Sequence, residues 1–257
     1  MPNILKSDLY RLSRSGLLYA LMAVSALIAL LLTMAIRQDI RIGISVFGNM
    51  TAFRGIDDIV RVGIQFYKGL GVIVAILLSV FIGQEYGWGT WQHKWMTNKS
   101  RCGIYLSKAV SGVIGSTGIF LAYQMTVLLC GGQIRAKLTA AYAATMLSGF
   151  CLYAALGVVI CMLSMLIKNN TASVIVCLCY VLFCETMASV MNGIGNVNVV
   201  VGHIVAFIGK HSLYGMSVLV SGAVDSPGLA LFVVRNVCLI LSISTAFGLT
   251  VFRRYEL

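Results

Sequence analysis

The chain has 257 residues, of which 59% are apolar and only 11% are charged, and its formal net charge is +11. A soluble domain carries roughly 25% charged residues because its surface faces water, so this composition excludes an ordinary soluble domain. The basic residues punctuate long apolar blocks instead of forming a solvated stripe, which argues against nucleic acid as a partner and favours contact with membrane lipid.

The N-terminal residues 3–15 predict an amphipathic interfacial helix, because Leu5, Leu9 and Leu12 recur at helical spacing with basic side chains between them. Apolar blocks follow that are long enough for helices to cross a ~30 Å hydrocarbon layer. The predicted spans are residues 17–36, 62–83, 104–130, 138–167, 171–191 and 228–252. We therefore predict an all-α, polytopic membrane protein whose residues 1–257 form a single transmembrane domain with six transmembrane helices.

Residues 192–227 contain two apolar pieces, 197–208 and 213–224, that are each too short to cross a bilayer. A polar turn at Lys210 and His211 joins them, and this pattern favours a re-entrant helical pair on the outer side of the membrane. The cysteines lie almost entirely inside apolar blocks, and no Cys/His cluster has metal-ligand spacing, so no metal site is predicted.

Small residues recur every four positions on the third and fourth predicted spans. They are Gly103, Ser107, Ser111 and Gly115 on the third span, and Ala140, Ala144 and Ser148 on the fourth. Small residues at this spacing let helix backbones approach closely in lipid. We interpret both rows as helix-packing seams, within one chain or between subunits; chance in a chain rich in Gly and Ala is the alternative.

Two polar side chains inside predicted spans are candidates for a substrate path. Glu185 is an acidic residue well inside a span, where an ionisable group costs roughly 2.5–3.5 kcal/mol by insertion scales. Its alternatives are a structural partner for a nearby polar side chain and a position near the outer headgroups. Gln124 is the second candidate, with a helix–helix hydrogen bond as its alternative. Lys68 and Arg235 are expected to snorkel at the outer ends of their spans.

Residues 84–101 form the most distinctive polar segment and contain all of the tryptophans. On a helix, Trp88, Trp91 and Trp95 share one face, and tryptophan suits the boundary between lipid and water. One interpretation is a simple interfacial anchor. The sharper one is a helix that docks a soluble partner, in which Glu85 orients the turn with Arg101 as its candidate charge partner.

The same segment contains an ordered motif. Its residues are Glu85, Gly89, Thr90, Ser100, Arg101, Ser107 and Lys108. This arrangement resembles the loop between the second and third spans in permease subunits of type-2 ABC exporters, and among these the antimicrobial-peptide and lantibiotic export or immunity permeases are most similar in size. Asn98 stands where that family usually has a proline.

The resemblance implies that residues 84–101 are a cytoplasmic coupling segment that contacts an ATPase. The coupling residues would be Glu85, Trp88, Gly89, Thr90, Trp91, Trp95, Arg101 and Lys108. Both termini would be cytoplasmic in a bacterial plasma membrane, an orientation that the nearly balanced Lys and Arg counts leave open. The chain has no ATPase motif. ATP and Mg would therefore bind two copies of a separate ATPase subunit, this chain would bind no cofactor, and a second permease copy or a sister permease would complete the transporter.

The expected function is ATP-driven export of a hydrophobic or amphipathic substrate, which a path with few fixed charges suits. The alternative is a secondary transporter driven by an ion gradient, and the chain shows neither an internal repeat nor a pair of intramembrane acids for it. An enzyme is not predicted, because the histidines His93, His203 and His211 have no suitable catalytic partner inside a span.

Overall fold

The computed structural model describes residues 2–38, 43–44, 51–52, 55–90, 101–132, 139–167, 169–195, 199–222 and 227–254. Within these ranges the chain is helical, apart from a two-residue antiparallel ladder between β1 (Gly43–Ile44) and β2 (Thr51–Ala52). The helices are α1 (Pro2–Ser13), α2 (Gly16–Arg37), α3 (Ile56–Ile64), α4 (Leu70–Gly87), α5 (Arg101–Gly131), α6 (Ala140–Ile167), α7 (Asn170–Gly195), α8 (Val199–His211), α9 (Leu213–Gly222) and α10 (Pro227–Arg254).

Six of the described helices are long and apolar enough to cross a membrane. They supply the stretches Gly16–Arg37, Leu70–Gly87, Cys102–Gly131, Tyr142–Ile167, Asn170–Gly193 and Gly228–Val251. Large apolar side chains such as Leu31, Met187 and Leu231 lie exposed on their outer faces, as a surface in contact with hydrocarbon requires. The expected all-α architecture with six apolar helices is thereby confirmed. Helices α8 and α9 form an additional apolar pair that bends by 73°.

The predicted start of the second span at residue 62 is wrong. Residues 56–64 form the separate helix α3, a 3₁₀ turn follows at Phe66–Lys68, and the apolar helix α4 begins only at Leu70. The first turn of α3 carries Asp57 and Asp58, which favour a helix N-terminus, and its apolar face is buried in the bundle. The apolar residues at the end of α3 and those of α4 appear as one block in a hydropathy pattern. In the structure α3 is a separate helix that packs at the end of the bundle.

The helix of the second span also extends beyond its predicted end at residue 83. Residues 84–87 are the last turn of α4, so Glu85 lies within a helix instead of a loop. Residues 91–100, which include Trp91, Trp95 and the rest of the predicted docking helix, lie outside the described residues. Trp88 lies at the C-terminal end of α4 with an exposed side chain.

Helices α5 and α6 approach each other closely at two glycines, Gly112 and Gly157, that the predicted rows of small residues did not include. A Cβ atom on Gly157 would lie only 2.6 Å from the carbonyl oxygen of Gly112 and closer still to the hydroxyl of Ser116. Because no side chain fits between these backbones, glycine is required here, as in close helix crossings in lipid. On the same helix pair, the aromatic rings of Phe120 and Tyr153 stack with their centroids 4.7 Å apart.

The predicted rows of small residues have mixed environments. On α5, Gly103, Ser107 and Ser111 are buried, and Gly115 faces Leu77 and Leu78 of α4. On α6, Ser148 is buried, Ala144 is half-buried and Ala140 is exposed. The α5 row therefore packs inside the chain, whereas the α6 row becomes exposed towards the N-terminal end of α6.

Candidate functional site

Four charged side chains from three helices meet at the end of the bundle that carries α1. Asp8 and Arg11 come from α1, Glu85 comes from the last turn of α4, and Lys108 comes from the N-terminal part of α5. We call these four residues the ionic cluster. Asp8, Glu85 and Lys108 are each no more than 2% exposed. Two carboxylates and two cations give the cluster a formal charge of zero.

Lys108 is the centre of the ionic cluster. Its Nζ atom lies 2.6 Å from Oε1 of Glu85 and 2.8 Å from Oδ1 of Asp8, so one ammonium group is shared by carboxylates of two helices. The second oxygen of Asp8 accepts a hydrogen bond of 2.6 Å from the hydroxyl of Ser107. Charge-assisted hydrogen bonds of this kind are stronger than neutral ones, and they join α1, α4 and α5 at one point.

Arg11 completes the cluster from its more exposed side. Its guanidinium forms an ion pair with Glu85 and donates a hydrogen bond of 2.9 Å to the backbone carbonyl of Phe81. The same guanidinium lies 4.2 Å from the centre of the Phe81 ring, within the range of a cation–π interaction. Arg11 thus ties α1 to α4 through both the side chain and the backbone.

The local sequence explains why α1 presents Asp8 to the interior. Ile4, Asp8 and Leu12 recur every four residues, share one helix face and are all buried. Leu5 and Leu9, which the sequence suggested for the apolar face, are only half-buried. Sequence reasoning missed Asp8, and the available signal was its position midway between two apolar residues on one face.

The structure gives Glu85 partners that the sequence analysis did not assign, while its expected pairing with Arg101 stays a prediction. Its described contacts include Lys108 and Arg11, neither of which sequence reasoning assigned to it. Arg101 begins α5, and its side chain lies outside the described ones. The motif residue Lys108, which lies 23 positions after Glu85 in the chain, is thus its direct neighbour in space.

Beyond Glu85, α4 ends in a tight turn that carries two further motif residues. Gly89 adopts a backbone φ of 65°, a left-handed conformation that glycine adopts readily. The hydroxyl of Thr90 donates a hydrogen bond of 3.2 Å to the backbone carbonyl of Glu85. These residues turn the chain out of the helix directly beside the ionic cluster.

A second buried ion pair lies towards the other end of the antiparallel helices α4 and α7. Gly83 of α4 lies against Asn170 of α7. Lys68, fifteen residues before Gly83, meets Glu185, fifteen residues after Asn170, which is about 22 Å from that contact at 1.5 Å per helical residue. Lys68 Nζ and Glu185 Oε2 are 3.6 Å apart, and both side chains are buried. The expectation that Lys68 snorkels is therefore wrong, because this carboxylate compensates its charge inside the protein.

Tyr67 borders this pair, with its ring centre 5.4 Å from Lys68 Nζ. Burial raises the pKa of Tyr67, and the neighbouring Tyr214 and Glu185 raise it further, so its phenol stays neutral at physiological pH. The Glu185 contact agrees with the structural-partner interpretation of that residue. A role in a substrate path stays a prediction.

Gln124 lies at the same end of the bundle as α3. It is buried, and its Nε2 atom donates a hydrogen bond of 3.1 Å to the backbone carbonyl of Val60 in α3. This is the helix–helix hydrogen bond that was the alternative to a substrate contact. The hydroxyls of Tyr123 and Tyr153 donate to α3 carbonyls in the same way, so α5 and α6 hold α3 in place.

A cavity of about 810 Å³ lies between α7 and the bent pair α8–α9. Its wall includes Tyr180 and Cys184 of α7, and Phe66 and Tyr214, which place it next to the Lys68–Glu185 pair. Across the described residues, no group of three or more His, Cys, Asp or Glu side chains is arranged to hold a metal ion.

The function cannot be read from relatives of this chain. No protein-family model matches it, and a comparison with curated proteins finds no significant match. The ionic cluster and the neighbouring motif therefore carry the functional argument.

Proposed function

We propose that the chain is the membrane-spanning permease subunit of a type-2 ABC exporter. It moves a hydrophobic or amphipathic substrate, such as a peptide, a lipid-like or a drug-like molecule, out of the cell or the membrane. The energy comes from ATP hydrolysis by two copies of a separate ATPase subunit. A second copy of this chain or a sister permease completes the transport path.

The contact between Glu85 and Lys108 is the observation that carries this proposal. These residues are the first and last charged positions of the motif that resembles the family's coupling loop. Their side chains are in contact at 2.6 Å, so the two ends of the intervening segment are joined. Asp8 and Arg11 attach α1 to the same point. A displacement of the segment by a bound ATPase would therefore move α1, α4 and α5 together, as coupling requires.

The proposal also assigns an orientation. Residues 84–101 and both termini face the cytoplasm of a bacterial cell, and α1 lies at the cytoplasmic interface with its exposed Lys6 towards the headgroups. The bent pair α8–α9 is then a re-entrant element on the outer side. Trp88, which is exposed at the end of α4, anchors the start of the coupling segment in the interface.

An ion-driven secondary transporter is the alternative, and one observation bears on it. The sequence showed no pair of intramembrane acids, yet Asp8 and Glu85 are both buried and both contact Lys108. Coupling sites of secondary transporters lie near the bilayer midplane. The ionic cluster lies at one end of the bundle, and its two cations neutralise the acids, so the observation favours a structural joint over a proton or sodium site.

The experiment compares Glu85→Ala with Lys99→Ala in the permease expressed together with its ATPase subunit. Loss of a buried charge partner such as Glu85 costs several kcal/mol, whereas loss of an exposed charge, which the sequence predicts Lys99 to be, costs about 0–1 kcal/mol. We expect Glu85→Ala to reduce transport and substrate-stimulated ATPase activity strongly, and Lys99→Ala to change them little. Co-purification of the subunits reports assembly separately.

A second variant keeps the ionic cluster intact and removes the tryptophan face by Trp91→Ala and Trp95→Ala. We expect it to weaken co-purification of the ATPase while the permease alone keeps its thermal stability. If Glu85→Ala and the tryptophan variant both leave the complex and transport intact, the segment is only an interfacial anchor and the proposal fails. Transport that continues without ATP and stops when the ion gradient is collapsed would establish the secondary transporter.

A further inference from the structure

The cavity between α7 and the bent pair α8–α9 has the size of a small-molecule site. Its volume of about 810 Å³ lies within the ~300–1,000 Å³ range that such sites occupy. The part of α7 that lines it runs from Cys179 to Asn192, inside the apolar stretch Asn170–Gly193, so the cavity lies at the level of the hydrocarbon. Phe183 and Met187 line the cavity and are at least half exposed. The cavity is therefore a groove that a molecule dissolved in hydrocarbon enters sideways.

Aromatic and sulfur-containing side chains are concentrated in the wall of this cavity. They make up eight of its twenty lining residues, whereas the whole chain of 257 residues is only 10% aromatic and has 8 Cys and 12 Met. The eight residues are Phe66, Tyr180, Phe183, Tyr214, Cys179, Cys184, Met187 and Met191. Sulfur is polarizable and packs favourably against aromatic rings, and methionine is common at surfaces that accept ligands of different shape. The wall therefore suits an aromatic molecule better than a saturated chain.

The aromatic wall is held in place by contacts behind it. Lys68 Nζ and Glu185 Oε2, which are 3.6 Å apart, attach the 3₁₀ turn that carries Phe66 to α7. The ring centre of Tyr67 lies 4.8 Å from that of Tyr214, which attaches the same turn to α9. Three of the elements that line the cavity are therefore joined before any ligand binds. A wall that is already formed loses little conformational freedom on binding.

The charges near the cavity favour an uncharged occupant. Lys210 is the charged lining residue among those described, and its Nζ atom lies 5.4 Å from the centre of the Phe232 ring of α10. Within the described part of the chain α10 contributes no lining residue, so this exposed ammonium group lies at the edge of the cavity. Lys68 and Glu185 compensate each other. The described wall therefore presents no buried charge to which an ionic ligand would bind.

The surrounding bilayer decides between an aromatic molecule and a lipid chain. Transfer of an apolar group from hydrocarbon to an apolar protein surface has no hydrophobic driving force, so binding depends on packing. A saturated chain makes similar contacts in lipid and in the cavity. An aromatic ring gains stacked, edge-to-face and sulfur–ring contacts that lipid tails do not provide.

We propose that the cavity between α7 and α8–α9 binds an uncharged aromatic molecule of drug size that enters from the bilayer. The rings of Tyr180, Phe183 and Tyr214 contact this molecule, and the flexible side chain of Met187 adapts to its shape. As an assignment of the transported substrate, this inference rests on the proposed function and selects the drug-like class. Binding is measured on the chain without an ATPase, so a failure of binding and a failure of ATP-driven export are separate results.

Photolabelling with benzophenone tests the proposal, because this molecule is uncharged and aromatic and, when illuminated, reacts with nearby C–H bonds, including those of methionine. The purified chain is reconstituted in phosphatidylcholine vesicles, labelled at increasing benzophenone concentration and mapped by peptide mass spectrometry. Met187 lines the cavity, whereas Met34 of α2 and Met125 of α5 are exposed on other helices and serve as internal controls. We expect labelling of Met187 to saturate and labelling of the control methionines to rise in proportion to the benzophenone concentration.

Competition and substitution measure the contribution of the rings. Biphenyl and dodecane have the same number of carbon atoms, but only biphenyl is aromatic. One aromatic contact contributes about 2- to 12-fold in affinity, so biphenyl should suppress the saturable labelling at a concentration lower than dodecane by at least that factor. Phe183→Leu should weaken the saturable labelling by about 2- to 12-fold, and Phe183→Tyr should retain it. Phe247→Leu, which removes an exposed ring of α10, should leave it unchanged.

Four outcomes would overturn the proposal. Labelling of Met187 that rises in proportion, as at Met34, would show that the cavity is not a binding site. Equal competition by dodecane and biphenyl would show that a lipid chain fills it. Unchanged labelling in Phe183→Leu combined with Tyr180→Leu would show that the rings do not recognise the ligand. Efficient cross-linking between copies through Phe183→Cys would show that a second protein chain occupies the groove.

Discussion

Replacement of Lys108 by methionine tests the ionic cluster most directly. Methionine keeps an unbranched apolar stem of similar length and removes the ammonium group that Asp8 and Glu85 share. The remaining cluster contains two carboxylates against the single guanidinium of Arg11, so its formal charge changes from zero to −1. The carboxylates are almost completely buried, and water cannot replace the lost cation without opening the helix junction.

The magnitude follows from the burial of the partners. Removal of one member of a buried ion pair costs about 3–5 kcal/mol, because the other member is left as an uncompensated charge. This is a large part of the ~5–15 kcal/mol that stabilises a typical folded protein. At about 2–4 °C per kcal/mol for a chain of this size, Lys108→Met should lower the melting temperature by about 6–20 °C.

The assay is thermal unfolding of the purified permease in detergent, with Lys6→Met as the matched control. Lys6 lies on α1 but is exposed, so its loss should change the melting temperature very little. The double variant Lys108→Met with Asp8→Asn removes one charge of each sign and leaves Arg11 paired with Glu85. It should recover part of the stability lost in the single variant, as a coupled pair does in a double-mutant cycle.

Attachment of α1 provides a second readout. Leu12 is buried beside the cluster, so Leu12→Cys in a background without other cysteines should resist thiol labelling when the cluster is intact. Labelling should rise in the presence of Lys108→Met, because α1 then detaches more often. The reasoning is refuted if Lys108→Met unfolds at the temperature of Lys6→Met, or if Asp8→Asn adds a further loss instead of a recovery.

Two further predictions concern topology and the second ion pair. Gln92→Cys, in a background without other cysteines, should not react with a membrane-impermeant thiol reagent added to intact cells, and it should react after the cells are opened; labelling from outside would refute the cytoplasmic assignment. Glu185→Gln should alter transport or substrate-stimulated ATPase activity at unchanged complex yield if Glu185 serves the substrate path. Reduced yield without a specific effect on transport would support its structural role beside Lys68, and Lys68→Met should then reduce the yield similarly.

The motif of residues 85–108 was recognisable in the sequence, but the contacts between its residues were not. The order Glu85, Gly89, Thr90 and Lys108 indicated a coupling segment, yet it did not show that the two charged ends are in contact. Asp8 lies 100 positions from Lys108 and 77 from Glu85, in a short helix whose role suggested only lipid contact. A pairing over this distance depends on which helices are neighbours, and no local pattern specifies that.

Buried charges were the least predictable feature for the same reason. From the sequence, Lys68 near the end of an apolar block is expected to extend its ammonium group to the lipid headgroups. Glu185 lies in another apolar block, and the sequence does not specify its partner. Their contact arises only because α4 and α7 run antiparallel with Gly83 beside Asn170. The same helix arrangement decides that the Nε2 atom of Gln124 bonds to α3.

The sequence by itself determined that this protein is a bundle with six helices long and apolar enough to cross a membrane. In hydrocarbon the backbone N–H and C=O groups must bond to one another, and a helix does this within one segment. The length of each such helix can be read from local hydropathy. Tertiary structure alone decided that residues 56–64 form α3 apart from α4, that the glycine contact of α5 and α6 lies at Gly112 and Gly157, and that Asp8, Arg11, Glu85 and Lys108 neutralise one another. These features depend on contacts between distant segments, which are set by the fit of whole helices and not by the composition of any one of them.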